Sequence, residues 1–207
     1  MEDLKEVKVL DHSSVITSDE DYDLYLMYSF MNALKEVENS VKAGYSKVTG
    51  TWFPHESVEG GTPTIGYGYK IKPEELKSGL IKLSDGSYLK FSPNGLTNSE
   101  VELLFKDCLD VATNKARIEW DSTYGMHRKF DDLPTKYCLV LTGLVFNIGS
   151  LKKNGRWQWP SLAKGILTES DSVVRLEMVT TYFNPKLQQR VPLLGRRNIL
   201  ADSLEIV

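Results

Sequence analysis

Apolar and polar positions alternate in two rhythms along the chain. From residue 25 to about 43, Met27, Phe30, Met31, Leu34, Val37 and Val41 recur at helical spacing, and Gly44 offers a stop. Glu38 lies four past Leu34 and seven past Met31, so it sits on or beside the apolar face. A carboxylate there is costly to bury unless it is paired or neutral. Over residues 51–72 the rhythm changes. Trp52-Phe53, a Glu59-Gly60-Gly61 turn and the run Thr64-Ile65-Gly66-Tyr67-Gly68-Tyr69 predict strands about a tight reversal. Residues 82–92 predict a second small hairpin turning at Asp85-Gly86.

Helical patterning then returns. Thr97 with Glu100 forms a capping box ahead of the stripe Val101, Leu104, Cys108, Val111 and Ala112. Pro134 can start the next helix, "YCLVLTGLVFNIG". It is apolar on nearly every side, as a central helix would be, and Gly149 ends it. Shorter helices are predicted over 161–167, 171–182 and 196–204. The outline is α+β: a small β-hairpin lobe, a larger helical lobe, a long helix joining them, and a groove where they meet. Residues 1–22 read as an acidic N-terminal arm and 23–207 as one domain.

Composition changes this picture little. A chain of 207 residues, 41% hydrophobic, can bury one good core. Cys108 and Cys138 sit in apolar helical runs, which suits small buried hydrophobes better than a disulfide. His12, His55 and His127 are isolated, and no phosphate-binding or dinucleotide fingerprint occurs, so neither metal nor cofactor is expected. Charge is uneven. Residues 1–23 carry eight acids against Lys5 and Lys8, a net of −6, while the whole chain is −3; the remainder is +3 by difference. That is too weakly basic to predict a nucleic-acid partner. No window reaches membrane-spanning length, so no membrane insertion is expected. The start "MEDLKEVKVL" lacks the basic and apolar segments of a secretory signal, which predicts residence in a cytoplasm after synthesis.

One grouping suggests chemistry. A glutamate, Glu38, stands near the end of a helix, and a hydroxyl, Thr64, follows on a strand beyond polar residues. Glycosidic cleavage needs a proton donor on one side of the bond and a carboxylate or positioned water on the other. An apolar wall would keep such a donor protonated near neutral pH. The bland reading of Glu38 is a salt-bridge partner.

The order "VENS", "EGGTPTIGYGY", "LTNSE" with "LLFKD", "LVFNIG" and "LLGRRNILADSL" resembles the phage-type lysozymes, the endolysin muramidase family. The similarity runs from about residue 25 to 204 and omits the acidic arm. It implies a two-lobed lysozyme-like fold and hydrolysis of the β-1,4 bond between N-acetylmuramic acid and N-acetylglucosamine in peptidoglycan. It makes Glu38 the general acid and Thr64 the residue that helps hold the attacking water. It places Tyr67 and Asn147 as substrate-binding candidates. Asn147, Gly149 and Arg197 carry mainly structural roles, Asn147 by capping or bridging the lobes and Arg197 by pairing with a buried acid. The resemblance also implies a peptidoglycan partner, reached through a holin-type lesion or from within a virion. The acidic arm would suit contact with virion or tail proteins.

The chain departs from the family pattern in three places. Asn39 stands where a glycine usually follows the glutamate, and Tyr69 where a histidine often ends the strand. The aspartate expected six residues before the threonine is Val58. Its substitute lies in the run His55-Glu56-Ser57. Ser57 best matches the position, and His55 shares its strand parity and can accept a proton; Glu56 is the carboxylate of the three but alternates with them. His55 with Ser57 therefore ranks above Glu56. The missing aspartate also admits a lytic transglycosylase, which needs one carboxylate, and the acidic arm admits a virion protein that uses the fold for docking. Trp157 and Trp159 suit packing better than sugar stacking, and Lys152, Lys153 and Arg156 suit a solvated loop better than contact with wall polymers.

Overall fold

A computed structural model describes residues 18–56, 63–184 and 188–207, with residues 182–184 through their backbone. The fold is α+β. Helix α1 (Asp19–Asn39) begins inside the stretch read as an arm. Ser18 caps it by accepting from the Asp21 amide, and Asp19, Glu20 and Asp21 place negative charge at the positive end of the helix dipole. The apolar periodicity starts later than the helix because its first turn is held by the cap, not by packing. Leu26, Phe30, Ala33 and Leu34 form its buried face. Val41 lies beyond the helix and is exposed.

The β lobe follows. Strands β1 (Tyr45–Ser46) and β2 (Thr51–Trp52) pair antiparallel, and β2 also pairs with β7 (Leu96–Thr97). Strands β3 (Thr64–Ile65) and β4 (Tyr69–Lys70) make a separate hairpin, with Thr64 opposite Lys70 and Ile65 opposite Tyr69. The expected single strand over 64–69 is therefore two strands and their turn. The expected reversal at Glu59-Gly60-Gly61 lies outside the described residues. Helix α2 (Pro73–Ser78) leads to β5 (Leu80–Lys82) and β6 (Tyr88–Lys90), whose turn at Asp85-Gly86 is as predicted, with Gly86 at φ 89°. Trp52, Ile65, Ile71, Ile81, Leu96, Val101 and Leu104 are among the residues of this lobe's core.

Helix α3 (Asn98–Tyr124) runs from this lobe into the helical one. Its capping box forms as predicted: the Glu100 carboxylate accepts from the Thr97 amide at 2.8 Å, and Thr97 Oγ1 accepts from the Glu100 amide at 3.3 Å. Val111, read as part of the apolar stripe, is exposed, and Phe105 and Leu109 are buried instead. Helix α4 (Thr135–Ile148), begun after Pro134 and stopped by Gly149 at φ 81°, packs against α1 and α3. A hairpin of β8 (Lys152–Lys153) and β9 (Arg156–Trp157) precedes α5 (Pro160–Leu167) and α6 (Asp171–Glu177). The helix predicted over 171–182 stops at Glu177, and β10 (Thr181–Asn184) pairs with β11 (Gln189–Pro192). Thr180, Thr181 and Tyr182 are β-branched or aromatic and favour that outcome. Helix α7 (Leu194–Ser203) closes the fold against α1.

An aromatic row ties the two cores. Tyr45, Trp52, Tyr67, Phe105 and Phe146 stand in sequence with centroid separations of 5.1, 5.5, 5.6 and 5.7 Å. Tyr67 packs against both clusters, which places the β3–β4 turn at the junction of the lobes. Cys108 and Cys138 are free thiols, and burial pushes each up to about 12. Among the described residues, no helix is long and apolar enough to cross a membrane.

Candidate active site

The last turn of α1 delivers Glu38 to this junction. Its Oε1 accepts from Arg196 Nη1 at 2.6 Å, in a pair that leaves 17% of the glutamate side chain and 9% of the arginine side chain exposed. The apolar wall expected beside Glu38 is thus a guanidinium. Asn39, the next residue, is buried and makes three side-chain hydrogen bonds. Its Nδ2 donates to Gly66 O at 2.8 Å and Ala43 O at 3.1 Å, and its Oδ1 accepts from the Ala43 amide at 2.8 Å. A glycine there could not make these bonds, so the departure at Asn39 clamps the helix end to the hairpin.

The hairpin turn explains its glycines. Gly66 has φ 61° and Gly68 has φ 83°, left-handed values that a side chain resists. A Cβ on Gly66 would meet Val101 Cγ1 at 2.7 Å, and one on Gly68 would stand 3.1 Å from Glu38 Oε2. The backbone at Gly68 therefore closes directly on the free oxygen of Glu38. Tyr69 is the second departure from the expected pattern. Its hydroxyl donates to the buried Glu75 carboxylate at 2.8 Å, and burial together with that carboxylate pushes the phenol up.

Thr64 opens the same hairpin. It is 6% exposed and bridges antiparallel to His55: the His55 amide donates to Thr64 O at 2.9 Å, and the Thr64 amide donates to His55 O at 2.8 Å. Thr64 Oγ1 lies 3.3 Å from His55 Nε2 and 3.5 Å from Nδ1. His55 Nδ1 also stands 3.0 Å from Glu56 O. A carbonyl can only accept, so this contact is a hydrogen bond when the proton sits on Nδ1, the tautomer in which Nε2 offers its lone pair. Glu56 is exposed, on the other parity of the segment. Ser57 lies outside the described residues.

Tyr67 lies within the turn, under Lys35 on α1, whose Nζ is 5.4 Å from the ring centroid and ion-pairs with Glu102. Burial and Glu102 push the Tyr67 phenol up. Asn147 is half-buried in the last turn of α4, next to Phe146 of the aromatic row, and makes no side-chain hydrogen bond among the described residues. The acid-pairing role expected of Arg197 belongs to its neighbour. Arg197 donates through Nε and Nη2 to Asn198 Oδ1, and Arg196 takes Glu38. Adjacent helical residues point about 100° apart, so only one of the two could reach the acid, and periodicity in so short a segment did not say which. Arg196 Nη2 and Thr180 Oγ1 are buried without a hydrogen-bond partner among the described residues, and both residues line a cavity of ≈ 10 Å³.

No protein-family model, curated protein or solved structure matches the chain. The geometry itself brings Glu38, Gly68, Thr64 and His55 around one hairpin. It leaves Glu56 in solvent and Asn147 on the neighbouring helix.

Proposed function

We propose that the chain is a peptidoglycan hydrolase of the lysozyme-like kind, a muramidase that inverts the anomeric centre. The observation that carries the reading is Glu38. It is held at Oε1 by Arg196, while Oε2 faces Gly68 in the turn of the hairpin that Thr64 opens, and Thr64 stands against His55 on the preceding segment. In this reading Glu38 is the general acid, and Oε2 is the oxygen that passes a proton to the glycosidic oxygen as the bond to the anomeric carbon breaks. A water held at Thr64 attacks that carbon from the opposite face and passes its proton to His55 Nε2. Tyr67 forms part of the sugar-facing wall, with Asn147 nearby. The sequence order from "VENS" to "LLGRRNILADSL" supports the same reading, and a lysozyme-like two-lobed architecture goes with it. The site would act on bacterial wall, after release through a holin-type lesion or as part of a virion.

The exposed position of Glu56 favours one second reading. If no group near Thr64 takes a proton from water, the muramyl 6-hydroxyl attacks instead, and the enzyme is a lytic transglycosylase. Digestion of purified peptidoglycan with mass analysis of the fragments separates the two. Reducing ends are expected. Fragments ending in 1,6-anhydromuramic acid would replace the hydrolase by the transglycosylase, and no fragments from an active-site-intact protein would remove both.

A further inference from the structure

We propose that the β8–β9 hairpin, at the far end of α3 from Glu38, carries a second binding site, one that takes an anionic glycan. Roughly 30 Å of helix separates Val101, beside Gly66, from Ser122, beside the hairpin. Asn154 and Gly155 have φ 52° and 74°, the left-handed pair that a tight two-residue reversal requires. The register then sets Lys153 directly opposite Arg156. Like charges at that spacing oppose strand pairing, and among the described residues neither has a carboxylate partner. On α3, Glu119 is already used, since it accepts from Ser150 Oγ at 2.7 Å and from the Leu151 amide at 2.6 Å.

The neighbouring groups give the pair a shape. Lys153, Asn154, Arg156, Trp157 and Gln158 line an open cleft of ≈ 540 Å³. Trp157 forms a fixed wall. Its ring lies edge-on to Trp120 at 5.8 Å and perpendicular to Tyr124 at 5.0 Å, and its Nε1 donates to Trp159 O at 2.9 Å. Lys152 is anchored to Ser122 Oγ at 2.8 Å, which holds the hairpin base in place. Two cations suit carboxylates or phosphates, the Asn154 amide and Oε1 of Gln158, whose Nε2 already donates to Ser150 O at 3.1 Å, suit hydroxyls, and an indole suits the apolar side of a sugar. An anionic glycan presents all three together. Its use as an anchor to bacterial wall rests on the hydrolase reading; the binding itself does not.

The test uses the full chain with Glu38→Gln, so that a bound strand is not cut, with and without the exposed pair Lys153→Ser and Arg156→Ser. Tryptophan fluorescence titration and sedimentation read binding to glycan strands bearing peptide-stem carboxylates, to a polyol-phosphate polymer substituted with N-acetylglucosamine, and to polyglutamate. Affinity for one of the first two is expected to fall roughly tenfold in the double replacement, and cleavage of short soluble fragments by the same pair in a Glu38-intact chain is expected to stay unchanged. Preference for the first probe assigns the carboxylate, and preference for the second the phosphate; either supports the site. Equal binding of polyglutamate, no binding of any probe, or unchanged affinity after the double replacement overturns it. A chain that binds strands but releases no fragments loses the hydrolase reading and keeps this one. A chain that releases fragments but binds no better with the pair than without it does the reverse.

Discussion

The two glycine-turned hairpins of this protein use one backbone device for opposite ends. In the 64–70 hairpin, the left-handed glycines let the chain close against other groups: Val101 at Gly66 and the Glu38 carboxylate at Gly68. In the 152–157 hairpin, Gly155 is equally left-handed at φ 74°, but a Cβ there would meet nothing within 4 Å. The first turn is half-buried at the lobe junction and clamped by Asn39. The second stands in solvent and displays charge. Positive φ alone therefore says that a turn is tight; what surrounds the missing Cβ says whether the turn is there to approach something.

The largest effect should come from the group that the first hairpin closes upon. Glu38→Gln is expected to lower wall hydrolysis by about 10²- to 10⁴-fold, the worth of general acid catalysis. It should also destabilise the fold by about 1–3 kcal/mol, because buried Arg196 loses its ionic partner. The half-buried carboxyl is not relieved by neutralisation, as an unpaired one would be. Fragment release and denaturant unfolding check both parts, and a Glu38→Gln enzyme with near-normal turnover ends the assignment.

Next come the glycines themselves. Gly68→Ala and Gly155→Ala each force a side chain into the left-handed region, at roughly 1–2 kcal/mol. Only the former pushes a methyl to 3.1 Å from Glu38 Oε2. Activity on soluble fragments is expected to fall more than tenfold in Gly68→Ala, on the order of what a misplacement near the chemistry costs, and to hold in Gly155→Ala. Equal activity losses at matched stability would erase the contrast between the hairpins.

A more selective effect concerns the imidazole. If His55 accepts the proton of water, fragment release should fall about 10²-fold or more in His55→Ala and hold in Glu56→Ala. Turnover of the two variants on soluble fragments decides between the residues, and a large loss confined to Glu56→Ala would restore a two-carboxylate site.

The smallest effect is a control on the body that carries both hairpins. The Cys108 and Cys138 thiols, pushed up to about 12 by burial, are favoured in their neutral form by the fold. Their contribution to stability is complete below the free thiol pKa near 9 and is lost as pH rises toward 12. Alkylation at pH 8.5 should be slow in the native chain and fast in denaturant. Rapid native labelling would mean that these helices open far more readily than their packing implies.

What the chain determined by itself was local. The Thr97–Glu100 box, the Asp85-Gly86 turn, the Gly149 stop and the apolar helix before it are written in neighbouring residues, and short-range sterics and hydrogen bonds suffice to fix them. The early start of α1 was legible in Ser18 and the acids after it, though hydrophobic periodicity passed over it. The pairing of Glu38 with Arg196 was not legible, since 158 positions separate the two residues. Nothing local chooses between Arg196 and Arg197; the packing of α7 on α1 does. The same holds for Asn39, whose amide is satisfied by a carbonyl 27 residues onward, and for the strands that replace the end of the predicted helix after Glu177. A buried polar group must find its partner wherever the chain folds back to supply one, and that position is a property of the assembled lobes.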